Sequence, residues 1–131
     1  MNILLIRPRP DRETIGLQHV MICEPLELEY LAANIDNQNA NIKIIDMILE
    51  KNPLEYFIES YDPDVVAMSG YITHVNVIKD YAARIKRMKP TCSVVVGGVH
   101  SEVVPEDYIS DDIDFIIEAQ GIKAFNQLLS G

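Results

Sequence analysis

Five short apolar runs, separated by stretches with helical spacing, constrain the fold of this chain more than any other feature. Three of the runs are nearly continuous in Ile, Leu and Val, which is typical of strands that helices cover on both faces. Strands that alternate with helices predict a parallel sheet whose right-handed crossovers place helices on both sides. The runs span residues 3–6, 42–46, 65–69, 94–98 and 115–117.

The stretches between the runs carry apolar residues at the spacing of helices. Pro25 suits a helix start, because its missing N–H is one that the first turn leaves unpaired. Two further short helices are expected at 105–107 and 124–129. We therefore predict an α/β fold with a doubly wound, five-stranded parallel sheet in the flavodoxin-like or Rossmann-like order 2-1-3-4-5. The helical stripes are Leu28, Leu31, Ala32 and Ile35; Leu54, Phe57 and Ile58; and Val77, Ile78, Tyr81, Ala82, Ile85 and Met88.

Length and charge narrow the classes of function. The 131 residues are about the size of one domain, spanning 1–131. The formal net charge of −9 repels phosphate backbones and anionic lipid, so we expect neither nucleic acid nor a membrane as a partner. No apolar run suits a signal peptide or a membrane span, which favours a cytoplasmic protein. The abrupt stop at Ser130-Gly131 predicts a fragment of a longer chain.

Several well-known sites are excluded by the residues at the strand ends. The first strand runs into 7–10, Arg-Pro-Arg-Pro, which cannot replace the glycine-rich turn of a dinucleotide site. A phospho-receiver domain shares the expected topology but needs an aspartate at the end of the third strand, where Ser69 stands. Cys23 and Cys92 form no CxxC pair, so each is expected to be a buried thiol. We assign no catalytic residue and no metal ligand.

Small and polar residues follow the third, fourth and fifth predicted strands, at one edge of the sheet. Glycines there let a flat or bulky ligand approach the backbone, and Ser69 and Thr73 offer hydroxyls to it. Convergence of these features at the carboxyl ends of parallel strands predicts a ligand site. The alternative is that Gly97 and Gly98 form a tight strand-to-loop turn and that Thr73 caps a helix. The candidate site residues are Ser69, Gly70, Thr73, Gly97, Gly98, His100, Gln120 and Gly121.

A set of short motifs, in order over nearly the whole chain, resembles the N-terminal half of B12-binding radical-SAM proteins. The group includes the anaerobic magnesium-protoporphyrin monomethyl ester cyclase and many radical-SAM methylases. Each motif is short, but the ordered set is specific. The motifs are Ile3-Leu4-Leu5-Ile6-x-Pro8, Glu24-Pro25-Leu26-x-Leu28-x-Tyr30-Leu31-Ala32-Ala33, Pro63-Asp64-Val65-Val66-Ala67-Met68-Ser69, Val94-Val95-Val96-Gly97-Gly98-x-His100-x-x-x-x-Pro105, and Asp114-Phe115-Ile116-Ile117 with Gly121.

The resemblance implies a cobalamin-binding domain, with the corrin over the carboxyl edge of the sheet and the nucleotide tail in a slot beside it. Ser69 and Thr73 would contact the tail, and Gly97 and Gly98 would leave space for it. The pair 120–121, Gln-Gly, would border the tail, and the loop of His100 would border the cleft.

The long segment after the first strand, 7–24, would face the corrin. Arg7 and Arg9 would then meet the propionamides or the tail phosphate; the alternative is a solvated loop. B12 mutases carry Asp-x-His-x-x-Gly here, and Glu13 stands in the histidine place, so the resemblance implies no histidine on cobalt.

The radical-SAM Cx3Cx2C motif is absent from these 131 residues. The resemblance therefore implies that the iron–sulfur cluster and S-adenosylmethionine belong to a C-terminal radical-SAM domain of the parent, a cyclase or methyltransferase. This chain would hold cobalamin for that domain and do no chemistry alone. The rival hypothesis is a non-catalytic α/β interaction or regulatory module without a cofactor, and cobalamin colour retained on purification separates the two.

Overall fold

A parallel sheet of five strands forms the centre of the fold. The computed structural model describes residues 1–9, 26–36, 39–69, 75–97, 105–117 and 121–130. Every strand pairing is parallel, and the spatial order is β2-β1-β3-β4-β5, which confirms the predicted fold and strand order. The strands are β1 (Asn2–Arg7), β2 (Asn41–Asp46), β3 (Val65–Ser69), β4 (Ser93–Gly97) and β5 (Phe115–Ile116).

The helices lie where the apolar spacing predicted them, with differences at their ends. Ile35 lies beyond the end of the first helix, and the last helix starts at Gly121 rather than at 124. Met88, predicted in the apolar stripe of the third helix, does lie on that helix, but as its last residue it is 40% exposed. The helices are α1 (Leu26–Ala33), α2 (Leu54–Tyr61), α3 (Val75–Met88) and α4 (Gly121–Ser130), with a 3-10 turn at Pro105–Tyr108.

Two apolar layers cover the two faces of the sheet. Successive side chains of a strand point to opposite faces, so each strand supplies both layers. One layer packs against α2 and α3 and includes Leu4, Ile6, Val66, Met68, Val94 and Val96. The other packs against α1 and α4 and includes Ile3, Leu5, Val65, Ala67 and Val95. Helices therefore cover both faces, as the continuous apolar runs predicted.

The amino edge of the sheet is held by polar contacts between neighbouring strands. Asp64 accepts the backbone N–H of Asn2 at 2.8 Å, and its own backbone carbonyl accepts the N–H of Ser93 at 3.0 Å. Asp114 accepts the N–H of Val94 at 2.8 Å and pairs with Lys86 Nζ at 2.6 Å. These contacts fix where β1, β3 and β4 begin.

Cys92 is fully buried, as predicted, and burial raises the pKa of its thiol to about 11. The prediction for Cys23 falls outside the described residues. None of the helices within the described residues is long and apolar enough to cross a membrane.

Candidate functional site

Four residues form a row across the carboxyl edge of the sheet, on the face that α1 and α4 cover. The parallel register pairs Arg7 with Asp46 and Ser69 with Gly97. Ile3 and Leu5, Val65 and Ala67, and Val95 pack on the α1/α4 side. Residues two apart along a strand point to the same face of the sheet, so Arg7, Ser69 and Gly97 lie on this side as well.

Small residues end β3 and β4 on this face. A Cβ built on Gly97 would meet Ile117 Cβ at 3.8 Å, an ordinary contact, and one built on Gly121 would meet nothing within 4 Å. The packing of the described residues therefore does not require glycine at either position. Below the row lies Ala67, another small residue. We call the part of this sheet face formed by Ala67, Ser69, Gly97 and Ile117 the carboxyl-edge slot.

The opposite face of the same two strands carries larger side chains. There the corresponding positions hold Met68 and Val96, which are 1% and 0% exposed and pack against α2 and α3. Neighbouring residues of one strand thus differ sharply in size between the two faces. This asymmetry indicates that the carboxyl-edge slot opens toward α1 and α4.

The side chains of Arg7 and Asp46 close the β1–β2 side of the row. Arg7 Nε donates to Asp46 Oδ1 at 3.1 Å, and Arg7 Nη2 pairs with Asp46 Oδ2. Their side chains are only 17% and 10% exposed. Asp46 Oδ1 also accepts the N–H of Ile48 at 3.0 Å, which holds the carboxylate in place. The alternative of a solvated loop is therefore wrong for Arg7.

Arg9 is likewise engaged, but on other partners. Its Nε donates to the carbonyl of Met47 and its Nη2 to the carbonyl of Glu50. Together with the bond from Met47 N to Arg7 O at 2.9 Å, these contacts tie the exit of β1 to the segment after β2. Arg9 nevertheless lies in an exposed loop, as the solvated-loop alternative predicted, and its described bonds support no ligand contact.

A second polar clamp fixes the helices that cover the slot. Asn126 of α4 donates to the carbonyl of Asn34 at 2.8 Å and accepts the N–H of Asp36 at 2.9 Å. A groove of about 980 Å³ runs along α4 beside this clamp, and Gly121 is among the residues that line it. The positions of α1 and α4 over the sheet are therefore set by specific hydrogen bonds as well as by Phe125, which is fully buried.

The structure brings three of the eight predicted site residues to this edge. Ser69 and Gly97 are register partners, and Gly121 begins α4 on the same face. The other five predicted residues lie outside the described residues: Gly70, Thr73, Gly98, His100 and Gln120. In the part of the chain that is described, no group of three or more His, Cys, Asp or Glu side chains could hold a metal ion.

The Arg7–Asp46 pair is the part of the row that the candidate list omitted. A signal for it existed, because both residues end apolar runs that the predicted order 2-1 makes neighbours. Chemically, the row combines a serine hydroxyl, a guanidinium fixed by a carboxylate, and a glycine. Such a set suits binding and orienting a ligand that lies against the ends of neighbouring strands.

Two curated proteins are similar to nearly the whole chain. An uncharacterized methyltransferase of Pyrococcus horikoshii is 28% identical over 134 residues, which cover 98% of this chain and 29% of the relative. The hopanoid C-3 methylase of Methylococcus capsulatus is 25% identical over 135 residues, covering 98% of this chain and 25% of the relative. The chain therefore spans between a quarter and a third of the length of these relatives.

Solved structures share the fold at low identity. A cobalamin-binding protein from Desulfitobacterium hafniense superposes with a TM-score of 0.60 at 15% identity, over 96% of this chain and 57% of that one. A two-component transcriptional regulator from Clostridium phytofermentans gives 0.61 at 15% identity, over 99% and 89%. The profile of the family described as B12 binding domain matches residues 13–129. This chain therefore belongs to the B12 binding domain family.

Proposed function

We propose that residues 1–131 form one cobalamin-binding module of a longer B12-dependent radical-SAM enzyme, and that the module holds the corrin for a separate catalytic domain. The observation that carries this proposal is the pairing of Ser69 with Gly97 at the carboxyl edge of the sheet, in a chain of the B12 binding domain family. The names of the two curated relatives, a methyltransferase and a methylase, favour methyl transfer over cyclisation as the parent's reaction.

The residues present fit the nucleotide tail of cobalamin better than its corrin ring. β3 and β4 are paired through Ser69 and Gly97, so a flat benzimidazole would lie against the small residues on the α1/α4 face of these strands, not between the strands. Ser69 would donate its hydroxyl to the tail, and Gly97 would let it pass close to the backbone. Gly70, Thr73, Gly98, His100 and Gln120 stay predictions for the same site.

Bound cobalamin supplies a cobalt centre that carries alkyl groups and changes oxidation state. The task of this module is then to bind, orient and partly shield the cofactor. The iron–sulfur cluster and S-adenosylmethionine would be bound by the radical-SAM domain, which is the partner we propose. With Glu13 in the histidine place, we expect no protein imidazole on cobalt.

The isolated module should bind cobalamin more weakly than the full-length protein. A corrin has two large faces, and the edge of one sheet covers only one of them. Leaving the other face in water forgoes burial worth roughly 25 cal/mol per Å² of apolar surface. Titration of both forms with hydroxocobalamin, followed by absorbance, tests this. Saturable binding to the full-length protein is expected, and its absence would overturn the proposed function.

The rival function is a regulatory α/β module, and the observation in its favour is the likeness to the transcriptional regulator. At 15% identity that likeness shows the fold alone. A phospho-receiver needs an aspartate at the end of β3, and Ser69 ends this strand. Incubation with acetyl phosphate separates the two functions, because we expect no phosphorylated form in intact-mass spectra. A phosphorylated form without cobalamin binding would favour the rival.

A further inference from the structure

We propose that Arg7 binds the phosphodiester of the cobalamin nucleotide tail, with Asp46 holding the guanidinium in position. This inference rests on the proposed function and chooses between the two contacts, propionamides or tail phosphate, that the resemblance implied for Arg7. It starts from the placement of Arg7: the β1–β3 register pairs Ile6 with Met68, so the next residues along, Arg7 and Ser69, are neighbours at the carboxyl edge.

The hydrogen bonds of Arg7 leave donors available on the slot side. A guanidinium has five N–H groups, and the described contacts of Arg7 use one on Nε and one on Nη2, both toward Asp46. Within the described part of the chain, its Nη1 makes no hydrogen bond. Asp46 lies on β2, on the side of β1 away from β3, so the remaining donors are left for the side of Ser69.

A comparison with Arg84 shows that this is not the general state of arginines in the molecule. Arg84 uses Nε and Nη2 on Glu55 and Nη1 on Asp80, at 3.2 Å for the last contact. Two carboxylates therefore occupy both ends of that guanidinium, whereas one carboxylate occupies one end of Arg7. Arg84 has the bonding expected of a structural link between α2 and α3, and Arg7 has that of an oriented donor.

The chemistry of the tail matches this donor. Cobalamin has one negatively charged group in its side chains, the phosphodiester between the corrin and the benzimidazole. A benzimidazole lying over the carboxyl-edge slot would leave the phosphodiester near Ser69, beside which Arg7 lies on the neighbouring strand. A guanidinium binds phosphate oxygens with two parallel N–H donors, and burial of Arg7 to 17% exposure strengthens such a bond.

Two ligands test the inference: hydroxocobalamin, and cobinamide, which keeps the corrin and its amides but lacks the nucleotide and phosphate. In the full-length protein, Arg7→Gln should weaken hydroxocobalamin binding about tenfold, as expected for a charge-assisted hydrogen bond, and leave cobinamide binding unchanged. Arg84→Gln is the matched control and should change neither affinity. Equal weakening for both ligands, or no weakening, would overturn the role of Arg7.

A second variant guards against a folding defect, because Arg7→Gln leaves the carboxylate of Asp46 half-buried and unpaired. The double variant R7Q/D46N removes both charges and keeps an amide pair in their place. It should retain the melting temperature of the parent and still lose hydroxocobalamin affinity selectively. If the parent protein binds cobinamide but binds hydroxocobalamin no more tightly, the inference fails and the proposed function stands. If the parent binds neither ligand, both fail.

Discussion

The two edges of the sheet are built on different plans. At the amino edge, Asn2, Asp64 and Asp114 join neighbouring strands through side-chain and backbone hydrogen bonds of 2.8 Å. At the carboxyl edge, β3 and β4 end in the small residues Ser69 and Gly97. Among the described residues, the side-chain contacts that join β1 to β3 and β4 to β5 lie at the amino edge, and at the carboxyl edge the Arg7–Asp46 pair joins β1 to β2.

This difference indicates that the residues for stability and the residues for binding lie at different edges of the sheet. In open parallel sheets, ligands bind at the carboxyl ends of the strands, and the other edge is free to serve the fold. Changes at the amino edge should therefore alter the free energy of unfolding with little effect on cobalamin affinity. Changes in the carboxyl-edge slot should alter cobalamin affinity with little effect on the free energy of unfolding.

The largest expected effect comes from filling the slot at Gly97. Gly97→Val places two methyl groups in the space beside Ile117 and should weaken cobalamin binding by about 100-fold, or 2.7 kcal/mol. A valine suits a strand, so the melting temperature should stay close to that of the parent. Absorbance titration and circular dichroism measure the two quantities. Undiminished affinity would show that the ligand does not pass Gly97.

The next effect concerns the amino edge. Asp114→Ala removes the acceptor of the buried Val94 N–H and the partner of Lys86, and should lower the free energy of unfolding by about 2 kcal/mol. Cobalamin affinity should be unchanged in urea-free buffer. Asp111→Ala, an exposed neighbour, is the control for the loss of charge. A large loss of affinity in the Asp114 variant would contradict the separation of the edges.

Two serines on the same face allow a matched test of hydrogen bonding. Ser69 ends β3 at the carboxyl edge, and Ser93 begins β4 at the amino edge. Ser69→Ala should weaken cobalamin binding about fivefold, since one neutral hydrogen bond contributes about 1 kcal/mol. Ser93→Ala should leave the affinity as it is. Equal behaviour of the two variants in titration would remove Ser69 from the site.

The smallest effect involves an ion pair outside both edges. The side-chain hydrogen bond from Arg84 holds the pKa of Glu55 below its usual value of 4.5. A lowered folded-state pKa stabilises the protein above pH 4.5, and this contribution disappears as the pH falls through the lowered value. Glu55→Gln should therefore cost about 0.5 kcal/mol at pH 7 and less in acid. Urea unfolding at several pH values, with Glu59→Gln as control, measures this loss of stability. A loss that stays the same in acid would contradict the prediction.

Most of the fold could be predicted because its signals are local. Buried parallel strands require continuous Ile, Leu and Val, and amphipathic helices require apolar residues at i, i+3 and i+4, so both leave a pattern. The start of α4 was missed because Gly121 is a poor helix former in general, although the first turn tolerates it. Met88 keeps the helical spacing but lies at the end of α3, where no layer covers it.

The site was predictable only in part, because its parts meet through the sheet rather than along the chain. Ser69 and Gly97 could be named from their positions after apolar runs. The contact of Arg7 with Asp46 depends on strand order, on register and on which face each strand end presents. Residue type alone does not carry that information, so the pairing of Arg7, which follows the first apolar run, with Asp46, which ends the second, is seen only in the structure.

The measurement that tests the central claim most directly is a backbone amide NMR titration of this 131-residue chain with hydroxocobalamin, which detects weak binding and reports its place. The account predicts saturable shifts at Ser69, Gly97 and Gly121, with Asn2, Ser93 and Asp114 unmoved. Gly97→Val should abolish the shifts. Saturable shifts centred on the amino edge, or saturation without any change at Ser69 and Gly97, would contradict a cobalamin site at the carboxyl edge.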